Sequence, residues 1–190
     1  MKVAQLNANR RESKGSAKAR LERRVGLVPA VMYGKDLNIP VQVFINDLNH
    51  LVYTPDTYLV DLGVEGQNYR CVIQDIQYDP LTNEVTHLDF FNVPSDKPIK
   101  TELPIDFLGV ADGVKKGGRL VKQLRRLKVK GLVDSLPARI EVQVEALGLG
   151  QSLKVKQLSY DAFDSLNPPN IPLVTVEVPR SMRGKAAAKK

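Results

Sequence analysis

From Leu27 onward the chain is a succession of short apolar or alternating segments, each stopped by glycine, proline or an Asx-type turn. Side chains of a strand alternate between its two faces, so segments like these fold by pairing into sheets and burying one face. Leu27–Tyr33, Val41–Ile45, Thr57–Leu62, Gln67–Tyr78 and Glu84–Val93 read as strands. Gly63-Val64-Glu65-Gly66 marks a hairpin, and Asp79–Asn83 a turn. Residues 2–9 allow one more short strand, and Asn46-Asp47 caps a short helix, Leu48–Tyr53, that ends before Pro55. So many short strands point to a small closed or nearly closed β structure. Pro94–Pro98 reads as a connection between domains. Beyond it Ile99–Leu108, Ile140–Val144, Leu153–Val155 and Leu173–Val178 build a second β-rich domain. The 190 residues therefore divide into a domain over 1–94, a second over 95–179 and a disordered basic tail over 180–190.

The helical period is sustained only near the start, over residues 13–25. Stepping about 100° per residue places Ala17, Leu21 and Val25 on one narrow apolar stripe, with Arg20 and Arg23 off it toward solvent. Gly26 is a good C-terminal stop. This helix is also where charge concentrates. The chain carries a net charge of +7, but residues 1–24 hold eight Lys/Arg against Glu12 and Glu22, and 180–190 hold five and no acid. Residues 25–99 are acidic, with ten Asp/Glu against three basic residues. A uniformly cationic coat is excluded; a focused footprint for an anionic partner is not. Arg10, Arg11, Lys14, Lys18, Arg20, Arg23 and Arg24 are interleaved with Gly15, Ser16 and Ala17, small residues that let a phosphate strand approach closely. A solvated helix face explains charge density alone equally well. The basic stretch from Lys115 to Lys130 is open in the same way, between tracking a phosphate backbone and facing solvent on a hairpin.

Signatures of catalysis are missing from the sequence. Gly113-Val114-Lys115-Lys116-Gly117-Gly118 lacks the Lys-Ser/Thr pair of a phosphate loop. His50 and His87 have no cysteine or second histidine at metal spacing, and Cys71, the lone cysteine, reads as a small buried hydrophobe. Asp75, Asp79 and Asp89 are most simply strand-end and turn carboxylates. No cofactor and no small-molecule substrate are implied. No apolar run reaches the roughly 20 residues of a membrane helix. Tyr33 at a strand end, Gln74 and Gln77, and His87 with Asp89 two residues on are groups that bind base edges, riboses or phosphates, or that line an ordinary polar sheet face. Strict alternation puts Gln74 on the side of Ile76 and Gln77 on the side of Asp75.

Taken in order these motifs resemble a known family. Arg11-x-x-x-Gly15, Arg20-x-x-Arg23 and Val28-Pro29-Ala30-Val31-Met32-Tyr33-Gly34 are similar to the start of the bacterial large-subunit ribosomal protein that binds 5S rRNA. Gln74-Asp75-Ile76-Gln77 and His87-Leu88-Asp89-Phe90 resemble its two later motifs. Phe107-Leu108-Gly109, Gly113–Gly118, Leu136-Pro137-x-x-Ile140 and Leu147-x-x-Gly150-Gln151-Ser152-Leu153 match the long form, called the Ctc or general-stress-protein type. The resemblance spans about residues 1–178. It implies a mainly β protein, with an N-terminal six-stranded barrel carrying a few short helices and then a second β-rich domain. It implies a structural, ribosome-associated cytoplasmic protein rather than an enzyme, with 5S rRNA as partner and neighbouring ribosomal proteins as candidates for the C-terminal domain. Arg11, Gly15, Arg20, Arg23, Tyr33, Gln74, Gln77, His87 and Asp89 would form or support the RNA face, with Lys14 and Lys18 from the basic arm. Many members read Gly-Lys-Gly at the helix start; here Gly15-Ser16-Ala17-Lys18 displaces the lysine. The acidic balance of residues 25–99 would repel RNA from the wrong faces of the barrel.

Overall fold

The computed structural model describes residues 1–12, 15–35, 37–93, 97–158, 160 and 162–179. Lys14, most of the Pro94–Pro98 connection and the tail 180–190 lie outside the described residues. The described residues form two compact units, Met1–Ile99 with Leu132–Ala138, and Lys100–Gly131 with the described residues from Arg139 to 179.

The first unit is a closed six-stranded barrel. Its strands are β1 (Lys2–Arg10), β2 (Leu27–Tyr33), β3 (Asn38–Phe44), β4 (Tyr58–Val64), β5 (Gln67–Tyr78) and β6 (Val85–Asn92). Around the barrel they run β1-β3-β2-β6-β5-β4. β1 closes it, running parallel to β4 from Lys2↔Tyr58 to Ala8↔Val64 and meeting β3 antiparallel at Asn9↔Gln42 and Arg10↔Val41. Alternation fills the interior with Leu6, Ala8, Val28, Ala30, Met32, Val41, Val43, Val60, Leu62, Leu88 and Phe90. Helix α2 (Ile45–Val52) adds Leu48, Leu51 and Val52 to the same core. The expected hairpin turn sits one residue later than the glycines suggested. Glu65 and Gly66 both have positive φ (50° and 83°), the two-residue geometry that matches strand twist, so Gly63 stays inside β4. Leu132–Ala138 joins this unit from far along the chain: the Thr57 N–H donates to the Ala138 carbonyl at 3.2 Å, and the Met1 ammonium to the Leu136 carbonyl at 2.7 Å.

Helix α1 (Ser16–Arg24) differs from expectation in its seating. Leu21 and Val25, on the expected core stripe, are 59% and 69% exposed, and no residue of the helix is buried. The stripe was too narrow to outweigh what lies on the opposite side. There Ala19 and Glu22 are half-buried, and Arg11, just past β1, donates from Nε to both Glu22 carboxylate oxygens at 3.1 and 2.9 Å. α1 is therefore held by polar contacts, with its apolar stripe outward.

In the second unit β7 (Ile99–Leu108), β9 (Arg126–Gly131), β10 (Ile140–Gln143) and β12 (Asp164–Ser165) form a sheet in the order β10-β7-β9-β12. The strands β8 (Arg119–Lys122), β11 (Ser152–Lys154) and β13 (Pro172–Glu177) form another, in the order β11-β13-β8. The short helix α3 (Asp112–Lys115) packs beside the second sheet, where Gly113 has no room for a side chain: a Cβ there would lie 2.7 Å from Val176 and from the Gly148 backbone. The fold is mainly β, as expected.

Candidate nucleic-acid interface

The outward face of β2, β6 and β5 collects most of the polar candidates, and two irregularities in the β5–β6 ladder arrange them. Ile73 pairs with Phe90 and Asp75 with Asp89, leaving Gln74 as an extra residue without a partner. Such a bulge re-aims the strand locally. Gln74 is exposed, rather than following Ile76 to the core side. Asp75 and Gln77 do share the outward face, opposite Asp89 and His87. The second irregularity leaves Thr86 extra on β6. Its hydroxyl donates to the Gln77 carbonyl at 3.1 Å, and its own carbonyl accepts from Arg23 Nε at 3.0 Å. A bulge frees a backbone group that must find a partner, and here that partner fixes α1 beside the polar face. Arg23 thus reaches back to the barrel instead of pointing wholly to solvent.

On the same face His87 Nδ1 lies 3.0 Å from Asp89 Oδ1, which orients the ring and leaves Nε2 for a partner. Tyr33 meets Phe91 edge to face at 5.7 Å between ring centroids. Burial, then the charges of Asp89 and Asp75, push the Tyr33 hydroxyl up from 10.0, so at neutral pH it is a donor. Asp75 and Asp89 face each other directly, a like-charge pair that costs stability in a sheet. Asp75 stands among these candidates, although the sequence reads it as an ordinary strand carboxylate; alternation places it on the face of Gln77, and only the pairing shows that it lies opposite Asp89. Tyr33, Asp75, Gln77, His87 and Asp89 are thereby brought together. Lys18 and Arg20 are exposed on α1. Arg11 is largely covered and engaged by Glu22, so it acts by holding the helix. Gly15 precedes the helix at φ 122°, a backbone shape that other residues rarely adopt.

The basic stretch of the second unit is different. Lys128 lies 3.7 Å from Glu102, Lys130 pairs in register with Asp164, and Lys115 bonds Asp112 at 3.0 Å. Arg126, Lys128 and Lys130 alternate with buried Leu127 and Val129, the pattern of a solvent face. In the Asp112–Gly118 loop every backbone N–H donates to a backbone carbonyl, leaving none to cradle a phosphate. Among the described residues no group of three His, Cys, Asp or Glu is placed to hold a metal, and no helix is long and apolar enough to cross a membrane.

A barrel with a cationic helix pinned beside a face of amides, imidazole and carboxylates has the makings of a ribosomal protein, and comparison with known proteins identifies that class. Residues 6–90 match the model of the Ribosomal L25p family, and residues 98–180 that of the Ribosomal protein TL5, C-terminal domain. Proteins named large ribosomal subunit protein bL25 are similar along nearly the whole chain. That of Bacteroides fragilis is 40% identical over 87% of this chain and 85% of its own. That of Phocaeicola vulgatus is 38% identical over 98% of each, and that of Porphyromonas gingivalis 35% identical over 100% of each. The chain belongs to the ribosomal L25p family, and like its members it is a structural ribosomal protein and not an enzyme.

Proposed function

We propose that this chain, as a structural protein of the large ribosomal subunit, binds 5S rRNA through the β2–β6–β5 face and helix α1. The observation that carries the reading is the in-register set Asp75, Gln77, His87 and Asp89 beside the Arg23–Thr86 link. Lys18, Arg20, Arg23 and Arg24 supply attraction to phosphates and rapid encounter. The polar face supplies the choice of site. Carboxylates only accept hydrogen bonds, so they favour ribose 2′-hydroxyls and base amino groups over phosphates. Those donors are displayed in the wide, shallow minor groove of A-form RNA, whereas its deep major groove excludes side chains.

The test is binding of the purified chain to 5S rRNA against tRNA across a salt series. Selective binding to 5S rRNA at physiological salt is expected. Arg20→Ala should weaken it and lower the salt slope by about one. Gln77→Ala and His87→Ala should each cost about 1–3 kcal/mol with little change of slope. Equal, steeply salt-dependent binding to both RNAs would reduce α1 to a generic polycation and defeat the proposal.

A further inference from the structure

The outward face of β1, β4 and β5 holds a second polar depression that the RNA reading does not use. It is an open hollow of about 610 Å³ lined by Gln5, Asn7, Asp61, Gly63, Asn68 and Arg70. The six form two cross-strand rows, Gln5↔Asp61↔Arg70 and Asn7↔Gly63↔Asn68. Asparagine and glycine are among the residues least suited to strands, yet all three members of the second row are of these kinds. Glycine within a strand marks a place where another group approaches the backbone closely. A Cβ at Gly63 would sit 3.1 Å from Asn7 Oδ1 and 3.4 Å from Asn68 Oδ1, so both amides lean over bare backbone. The side-chain amides of Gln5, Asn7 and Asn68 make no hydrogen bond among the described residues. Three primary amides, each able to donate and accept, thus surround a half-buried floor at Gly63 that carries no side chain.

Charge indicates what fits. Asp61 and Arg70 balance each other 3.9 Å apart, and Arg10 and Glu65, next along the barrel, do the same at 3.5 Å. A phosphate backbone would meet two carboxylates with no excess of cations. An extended peptide carries alternating N–H and C=O groups and no net backbone charge. Its outward positions repeat every two residues, as the two rows do. We infer that the hollow docks an extended, uncharged polar segment of a neighbouring protein in the large subunit. The inference rests on membership of the subunit and is independent of 5S rRNA binding.

The experiment places a benzophenone amino acid at Val3, which is 60% exposed on the same face of β1 beside the hollow but not part of its lining, and separately at Leu81, a 92% exposed control on a turn. Each full-length chain is reconstituted into large subunits that lack it and irradiated, and adducts are mapped by mass spectrometry. A crosslink from position 3 to one peptide of one ribosomal protein, absent from position 81, is expected. Gly63→Val, which fills the floor, and Asn7→Ala, which removes one amide with little risk to folding, should each cut its yield at least fivefold while 5S rRNA affinity stays within twofold. Adducts to rRNA, no adduct above the Leu81 control, or a yield that neither substitution changes would overturn the inference.

Discussion

Glu22→Gln tests whether α1 is held in place by charge. The substitution keeps the side chain's size but removes the carboxylate that receives Arg11. At 2.9 Å and an effective dielectric of about 20, the pair attracts by about 6 kcal/mol before solvation is counted. Withdrawing both ions from water offsets most of that. Their side chains are 15% and 14% exposed, so the net loss should fall between that of a surface pair and that of a buried one, about 2 kcal/mol. That corresponds to a shift of about 30-fold in the docking equilibrium of the helix. A nine-residue helix is too short to persist alone, so undocking and unfolding coincide. Hydrogen exchange read by residue should show the hydrogen-bonded amides of Ala19–Arg24 exchanging about 30-fold faster. Amides of Val60, Leu62 and Cys71 in the barrel core should hold their protection. Unchanged exchange in α1 would show that the pair does not hold it; equal acceleration in helix and core would show that it supports the whole barrel. Either result would refute the argument.

Other consequences can be checked separately. Phe90 is fully buried, so Phe90→Ala should lower the unfolding free energy by about 3–5 kcal/mol in urea titration; a loss under about 1 kcal/mol would mean that the barrel collapses around the gap. Burial, reinforced by Asp61, pushes the Cys71 thiol up to about 12. It should resist alkylation at pH 8 in the folded chain and react promptly once denatured; ready alkylation of the folded chain would contradict its burial. The Leu81 and Thr82 amides, donating to Asp79, hold its carboxyl below the usual 3.8. A depressed folded value stabilises the protein above the unfolded value, and that contribution is lost as pH falls through the folded one. Asp79→Asn should therefore flatten the acid limb of stability below about pH 4, and an unaltered limb in melting scans would show that these bonds contribute nothing.

Strands were legible where apolar or alternating runs end on glycine, proline or Asx residues: Leu27–Tyr33 and Gln67–Tyr78 of the barrel and Ile99–Leu108 of the second unit are all observed at those bounds. The features that shape the candidate site were not. A bulge such as that at Gln74 depends on the partner strand, which a single segment does not reveal. The apolar stripe of α1 predicts an inward face, because pattern reasoning weighs hydrophobicity and not the Arg11–Glu22 pair across eleven residues of chain. Glycine favours turns, so the sequence alone puts Gly63 in one; its neighbours across the sheet show it serving inside β4. The two-residue strand β12 carries no pattern at all.

The tie between Leu132–Ala138 and the barrel bears on how the protein is made. Synthesis is vectorial, and domains usually fold as they emerge, N-terminal first. β1 waits for β4, and β4 joins the rest of the barrel only through β5 and β6, so the barrel cannot close until Asn92 has left the exit tunnel, and the hydrogen bonds to Leu136 and Ala138 form only later. The nascent chain therefore matures in two stages. A barrel assembles first, and it is latched only after the second unit is well under construction. A chain ending before Leu132 would present a barrel whose Met1 ammonium and Thr57 N–H lack their carbonyl partners.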